Sequence, residues 1–544
     1  MSHTLRIVNY AVNGAGVGHL ARLVAVNRWV RRYAAFSGAR AEIYFLTSSE
    51  ADGLLFQERF ASFKLPSKTV VGETGIDKLT YLALAKQWVW HSLGLIRPDL
   101  LVVDTFPRGS FGELLSALDL CRQRAFIYRP VKPEFAQKPD FAAMLPLYDA
   151  ILVPEPPGTK LPLPEGVKSR TRFFGPVAVR EPHEMLPREQ ARQRLGIPEG
   201  KLALYCSAGG GGDEQAEATL TWLCDELASY PRFHLVVAAG PLYRGRSIHA
   251  SHVTWLRDWG SAVYLPGCDL ALTAAGYNTC AELWLAGLPA VFLPQPKIAD
   301  QQAERARRAV EAGAGSLLAD LTPAALQDAL EPYLDPEKRQ RASLAARHLV
   351  PRNHARDMAA ALLKLVLPPR RVEAAEDALT DSLLQRATRR GLELDDVARL
   401  VHALGESEAK LARPACSLLE LMQRHHLPTE AGLRLAQAFC RKLERATGSE
   451  RARALKRILP ELAAFDNWNA AATLVRVLGA ERELRAEELA ERLADCLSSA
   501  RARGQDLYQV VARISEAQEV GSAQSKLAGN AEVLRRAQET ACPA

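Results

Sequence analysis

Short, unbroken apolar runs alternate with helical patterns from residue 5 to about residue 366, and this alternation limits the fold more than any other feature of the 544-residue chain. "LRIVNYAV" reads as a strand, and helical spacing follows from about Gly18 to Ala35. "AEIYFL", "LLVVD" (Leu100–Asp104), "AFIY" (Ala125–Tyr128) and "AILV" (Ala150–Val153) continue the series. Strands that are apolar on both faces, with helices between them, specify a parallel sheet covered on both sides.

The series runs twice. A proline-rich stretch, "VPEPPGTKLPLPEG" and then "FFGPV", reads as a connection leading to a hinge. "LALYCS", "HLVVAAG", "LALTAAG" and "AVFLPQ" then start a second set of strands. The expected architecture is two Rossmann-like doubly wound α/β domains, 1–176 and 177–370, followed by an all-α domain over 371–544. In that last region stretches such as "LDDVARLVHALG" are amphipathic at helical spacing and no strand stands out. In doubly wound folds, ligands bind beyond the carboxyl ends of the strands, so the loops there carry the chemistry.

Composition narrows the class. A hydrophobic fraction of 48% supplies large cores and excludes disorder, and the net charge of +7 is only mildly basic. Nine scattered cysteines without a C-x-x-C pair indicate a reducing compartment and no zinc site. No signal peptide and no long apolar run stand out, so a cytoplasmic protein is expected, with peripheral membrane contact left open. The helical region has too few aromatics beside its arginines for nucleic-acid binding, and "RHH" (Arg424–His426) reads as a solvated face. A protein partner suits that region better.

Three stretches stand at strand ends. "GAGVGHLAR" places Gly14, Gly16 and Gly18 in a turn, with His19 in the first turn of the next helix and Arg22 one turn further. Such a loop brings backbone amides to an anion, and a histidine there serves as a general base or a phosphate contact. "CSAGGGGDEQ" puts four glycines, Gly209 to Gly212, after another strand, with Asp213 as a helix cap. Each glycine costs backbone entropy, so a diphosphate cradle is the functional reading and a plain surface loop the alternative. In "AAGYNTCAEL", Gly276 opens a helix bearing Asn278, Thr279 and Glu282, and "ADQQAERA" opens the next with Asp300, Gln301 and Gln302. A carboxylate such as Glu282 accepts both hydroxyls of a ribose, and amide and acid side chains suit a sugar. Taken singly, Glu282 is equally a helix-dipole acid and "DQQ" a polar cap. Asp104, at a strand end, and Arg108 after it are expected to face the cleft; Asp104 also suits a helix cap. Trp88 and Trp90 read as helix packing, or else as an apolar patch on the acceptor side.

In order and spacing, "GVGHLAR", "PDLLVVDTFPRGSFGEL", "CSAGGGGD", "AAGYNTCAEL" and "DQQAERA" resemble the GT-B glycosyltransferases of the family 28, MurG-like type, and most of all a group of uncharacterised bacterial glycosyltransferases. The resemblance covers residues 5 to about 366. It implies a nucleotide-sugar donor, with UDP the expected nucleotide, and an unidentified acceptor. Carried over residue by residue, Glu282 would hold the ribose, the amides near Asn278 and Thr279 would face the diphosphate, and Leu256 would line the base. Gln301 and Gln302, with Asp300, would meet the donor sugar. Gly16, Gly18, Gly209, Gly210, Gly211 and Gly276 would bring backbone to the donor, and His19 would lie at the reaction centre with Asp104 as the alternative base. No metal and no further cofactor are expected, since no D-x-D motif ends an early strand. The form Gly16, Gly18, His19, Arg22 also resembles nucleotide-sugar hydrolases of nonulosonic acid biosynthesis, so hydrolysis or epimerisation on the same fold is the alternative. A binding protein acting through its helical region is the third reading.

Overall fold

The computed structural model describes residues 4–379 apart from 13–15, 258–259, 298 and 377. Gly14 and the expected helical region from 380 onward, with Arg424–His426, lie outside the described residues.

Two parallel sheets carry the fold. The first contains β1 (Thr4–Ala11), β2 (Arg40–Thr47), β3 (Ala61–Lys64), β4 (Leu100–Asp104), β5 (Gln123–Ile127), β6 (Ala150–Val153) and β7 (Thr171–Phe173), in the order β3-β2-β1-β4-β5-β6-β7. The second contains β8 (Leu202–Ser207), β9 (Phe233–Ala238), β10 (Val253–Leu256), β11 (Leu270–Thr273), β12 (Ala290–Phe292) and β13 (Gly315–Leu317), in the order β10-β9-β8-β11-β12-β13. Each order reverses direction once, at β1/β4 and at β8/β11. A crevice opens beyond the strand ends at such a reversal.

The central strands form because both faces are covered. All five residues of β4 are buried. In the second sheet Leu204, Leu235, Val237 and Leu272 face one apolar cluster, while Ala203, Tyr205, Val236 and Ala271 face the other. A fully buried Leu, Val or Phe side chain contributes about 1.5–3 kcal/mol relative to an exposed one, so these runs leave little choice of structure. The four strands without a clear sequence signal are β3, β7, β10 and β13, the outermost strand on each side of each sheet. β3 is exposed throughout and β13 is "GSL"; an edge strand packs on few neighbours and needs no continuous apolar run.

After the second sheet the chain crosses back. The helix Ala355–Leu363 packs on the first helix, Gly18–Phe36, and Arg356 Nε donates to Tyr33 Oη at 3.1 Å. Beside it Asn353 Nδ2 donates to Ala178 O at 2.8 Å and to Glu181 Oε1 at 2.9 Å. Trp88 packs against the first lobe's core, whereas Trp90 is exposed. Among the described residues no helix is long and apolar enough to cross a membrane.

Candidate active site

At the β1/β4 reversal a buried charge cluster forms. His19, in the first turn of the helix Gly18–Phe36, places Nδ1 at 2.6 Å from Asp104 Oδ1 at the end of β4. Arg22, one turn on, grips the same carboxylate through Nε to Oδ2 at 2.7 Å and Nη2 to Oδ1 at 2.8 Å. Thr105 Oγ1 donates to Asp104 Oδ1 at 2.8 Å, from a backbone with φ +60°. A β-branched residue in the left-handed region stores about 1–3 kcal/mol of strain, a common mark of a functional site. Asp104 is 1% exposed, Arg22 2% and His19 8%.

The electrostatics follow from this packing. Burial alone would raise the Asp104 carboxyl, but Arg22 and the bond to His19 outweigh it and hold the group well below the usual carboxylate range. Burial lowers the His19 imidazole, and it outweighs the opposing pull of Asp104. A neutral imidazole beside an ionised carboxylate carries its proton on Nδ1, because that carboxylate only accepts. Nε2 is then left unprotonated, with the Phe106 ring 5.3 Å away from the imidazole, centre to centre.

The β8/β11 reversal is built from backbone. Gly209 and Gly211 have φ of +82° and +80°. A Cβ on Gly211 would stand 2.4 Å from Ala239 O, and one on Gly240 would stand 2.5 Å from Gly210 C, so two loops pack main chain on main chain. A Cβ on Gly210 would meet Val17 Cγ2 of the opposite loop at 2.9 Å. A Cβ on Gly209, by contrast, would meet nothing within 4 Å. The helix Tyr277–Ala286 starts at Gly276, which supplies no side-chain cap. Its first backbone bond runs from Cys280 N to Gly276 O, so the amides of Tyr277, Asn278 and Thr279 have no partner within the helix.

The two reversals meet. Asn278 Nδ2 donates to Gly18 O at 2.8 Å, and Asn278 Oδ1 accepts from Arg22 Nη1 at 3.3 Å. Arg129, just beyond β5, pairs with Asp300, which also accepts from Arg305 Nη2 at 3.0 Å.

Residues 262–363 match the glycosyltransferase family 28 C-terminal domain. The second lobe thus resembles glycosyltransferase family 28. A UDP-N-acetylglucosamine–N-acetylmuramyl-(pentapeptide) pyrophosphoryl-undecaprenol N-acetylglucosamine transferase of Carboxydothermus hydrogenoformans is 30% identical over 142 residues, 24% of this chain and 38% of that one. The transferase of the same description from Anaeromyxobacter sp. is 38% identical over 110 residues, 20% and 28% of the two chains. The chain thus spans well under half the length of these curated relatives. The crystal structure of MurG from Acinetobacter baumannii superposes with a TM-score of 0.44 at 15% identity, covering 66% of this chain and 99% of that one.

The structure places the expected residues unevenly. His19, Asp104, Gly18 and Asn278 come together at the cleft, and Asp300 joins them through Arg129. Asp104 does not face the cleft: both its oxygens are taken and it is sealed from solvent. It caps no helix either, since none starts there. Arg108 pairs with Asp140 at 2.6 Å on the surface. Asp213 is not the cap of the next helix, which starts at Ala216 after Gln215; Asp213 accepts from Gln215 N at 3.0 Å and pairs with Lys297. Gln302 is buried, with Oε1 accepting from Gln295 N at 2.9 Å, and Gln301 stands at the N-cap position of its helix without a side-chain capping bond, while its amide donates to Asp300 Oδ1 at 3.0 Å. Glu282 is half-buried and accepts the Val179 amide near Arg180; burial raises its carboxyl to about 7. Leu256, half-buried at the end of β10, rests on the core. Arg129 and Arg305 were not singled out from the sequence. The signal for Arg129 was its place directly after the apolar run "AFIY", at a strand end.

Proposed function

We propose that this chain transfers a sugar from a nucleotide-sugar donor, a UDP-sugar, to a hydroxyl of an acceptor, without a metal ion. One observation carries the reading: the buried His19–Asp104 pair stands across the cleft from the uncapped start of the helix Tyr277–Ala286, and Asn278 joins the two. In this reading Asp104 is a positioning residue. It fixes the His19 tautomer, so that Nε2 accepts the proton of the attacking hydroxyl. The hydroxyl oxygen bonds to the anomeric carbon as the bond from that carbon to the diphosphate breaks. The diphosphate leaves with the electron pair, and its charge meets the free amides and positive dipole end of the helix. The similar transferases have UDP-N-acetylglucosamine in their names, which supports UDP as the nucleotide.

A panel of nucleotide sugars tested by thermal shift, with and without chelator, tests this reading. It expects stabilisation by a UDP-sugar that the chelator leaves unchanged. Product analysis without acceptor then separates transfer from hydrolysis: free sugar released at the full rate makes water the acceptor. If no nucleotide stabilises the protein, the reading falls.

A further inference from the structure

Arg129 is an uncommon kind of arginine. It stands just beyond β5, next to the β4 end that holds Asp104, and it is 7% exposed. Among the described residues its side chain makes one hydrogen bond, through Nη1 to Asp300 Oδ1 of the opposite lobe. A guanidinium has five N–H donors in a fixed fork. Among the described residues the remaining donors of Arg129 have no protein acceptor, and none of them is fully buried.

The surrounding charges do not balance. Asp104 is committed to His19 and Arg22. Asp300 serves Arg129 and Arg305 together. Glu155 is buried with an ion-pair distance of 3.8 Å to Arg308, and burial raises its carboxyl. Three guanidiniums held largely out of water, on Arg22, Arg129 and Arg305, with the half-exposed Arg308 beside them, thus stand against three carboxylates, one of which, Glu155, burial pushes toward its neutral form. An unpaired cation held out of water is costly unless an anion joins it. This excess positive charge lies beside the free amides of the helix Tyr277–Ala286, since Arg22 bonds to Asn278 and Arg305 donates to Ala275 O.

We propose that Arg129 is the cation the first lobe supplies to the donor's β-phosphate, and that donor binding exchanges its partner from Asp300 to that phosphate. This inference rests on the transferase reading above. Once released, Asp300 keeps Arg305 and turns its other lone pairs to a hydroxyl of the donor sugar. The bond from the anomeric carbon to the β-phosphate oxygen breaks toward Arg129, which meets the charge developing on the leaving group. The same exchange makes closure of the lobes depend on the second phosphate of the nucleotide. A monophosphate, held by the second lobe alone, does not reach Arg129.

Calorimetric titration of the full chain with matched nucleoside mono- and diphosphates of uridine, thymidine, guanosine, adenosine and cytidine tests this. The wild type is expected to bind one diphosphate on the order of 10- to 100-fold more tightly than its monophosphate, the size of a charge-assisted contact. Arg129→Met should bring the pair to within about threefold of each other by weakening the diphosphate alone, and Arg129→Lys should retain part of the preference. Asp300→Asn should tighten diphosphate binding, because it weakens the competitor for Arg129. That variant decides the matter if Arg129→Met does not fold. An unchanged preference in Arg129→Met, or weaker diphosphate binding in Asp300→Asn, overturns the assignment of Arg129 while leaving the transferase reading intact. If the wild type binds none of the diphosphates, the transferase reading itself fails.

Discussion

The two chain reversals that face each other across the cleft use opposite materials. At β1/β4 the first lobe concentrates side-chain chemistry: a histidine, a carboxylate and an arginine locked together and nearly sealed from solvent. At β8/β11 the second lobe offers main chain: glycines at positive φ and a helix that begins without a cap. One fold, repeated in one chain, thus divides the work. A side-chain cluster can hold a tautomer and accept a proton. A row of amides can hold a diphosphate whose shape changes little between donors. The lobe built of side chains should be sensitive to single substitutions in turnover, and the lobe built of backbone should be sensitive in binding and stability.

The sharpest break is expected at His19. His19→Ala should lower turnover on the order of 10²–10⁴-fold, the range for a general base, while donor affinity stays within about twofold. The pH profile gives an independent check. The active form of the imidazole is neutral, and burial lowers it from the usual histidine value. Activity should therefore hold as pH falls to about 6.5, the ordinary midpoint of a histidine, and drop only below it. In His19→Ala that acidic limb should disappear. A variant that loses donor affinity but keeps its rate at saturation would make His19 a binding residue and place the base elsewhere.

Asp104 comes next. Asp104→Asn removes the charge that Arg22, 2% exposed, relies on, and stranding a buried charge costs about 3–5 kcal/mol. Thermal or denaturant unfolding should show that loss directly. A small change in stability would mean that Arg22 leans on other partners, with Thr105 Oγ1 at 3.2 Å and Asn278 Oδ1 at 3.3 Å already in hand.

How much of this could be read from the sequence follows burial. The central strands carry continuous apolar runs because both their faces are covered, so "LLVVD" and "LALYCS" identified themselves. The edge strands β3 and β13 did not, because β3 lies wholly in solvent and no residue of β13 is fully buried. His19 and Arg22 were legible as a helix-start motif, but Asp104 comes 82 residues after Arg22, and nothing local told that the two would lock. The glycine run was read as a cradle. Packing against the 239–243 loop now accounts for Gly211 and contact with Val17 for Gly210, whereas Gly209 is open. Arg129 escaped notice because its partner is 171 residues away in the other lobe.

Glu282 tests the binding half of the comparison. Glu282→Ala should weaken nucleotide binding by about 1.5–3 kcal/mol, the loss of a charge-assisted pair of hydrogen bonds. Burial raises this carboxyl to about 7. The ionised form accepts hydroxyls best, so ribonucleotide affinity should rise as pH increases through about 7. That rise should be missing in Glu282→Ala and weak for the 2′-deoxy nucleotide. Equal affinities for the ribo and deoxy forms in the wild type would return Glu282 to a structural role on the Val179 amide.

The smallest effects, at the glycine loop, separate packing from function within a single turn. Gly209 and Gly211 share nearly the same φ, +82° and +80°, so an alanine pays the same left-handed penalty at both, about 1 kcal/mol. They differ in surroundings: a Cβ at 211 runs into Ala239 O at 2.4 Å and Tyr243 N at 2.8 Å, while one at 209 meets nothing within 4 Å. Gly211→Ala should therefore unfold earlier than Gly209→Ala, by about 1–3 kcal/mol for the added overlap. Nucleoside diphosphate titration should give the reverse order. A methyl at 209 occupies the open side of the loop, where a phosphate would approach the backbone, whereas one at 211 points into the protein. If Gly209→Ala binds diphosphate as the wild type does, the glycine run exists for packing alone, and the helix Tyr277–Ala286 is left to hold the diphosphate.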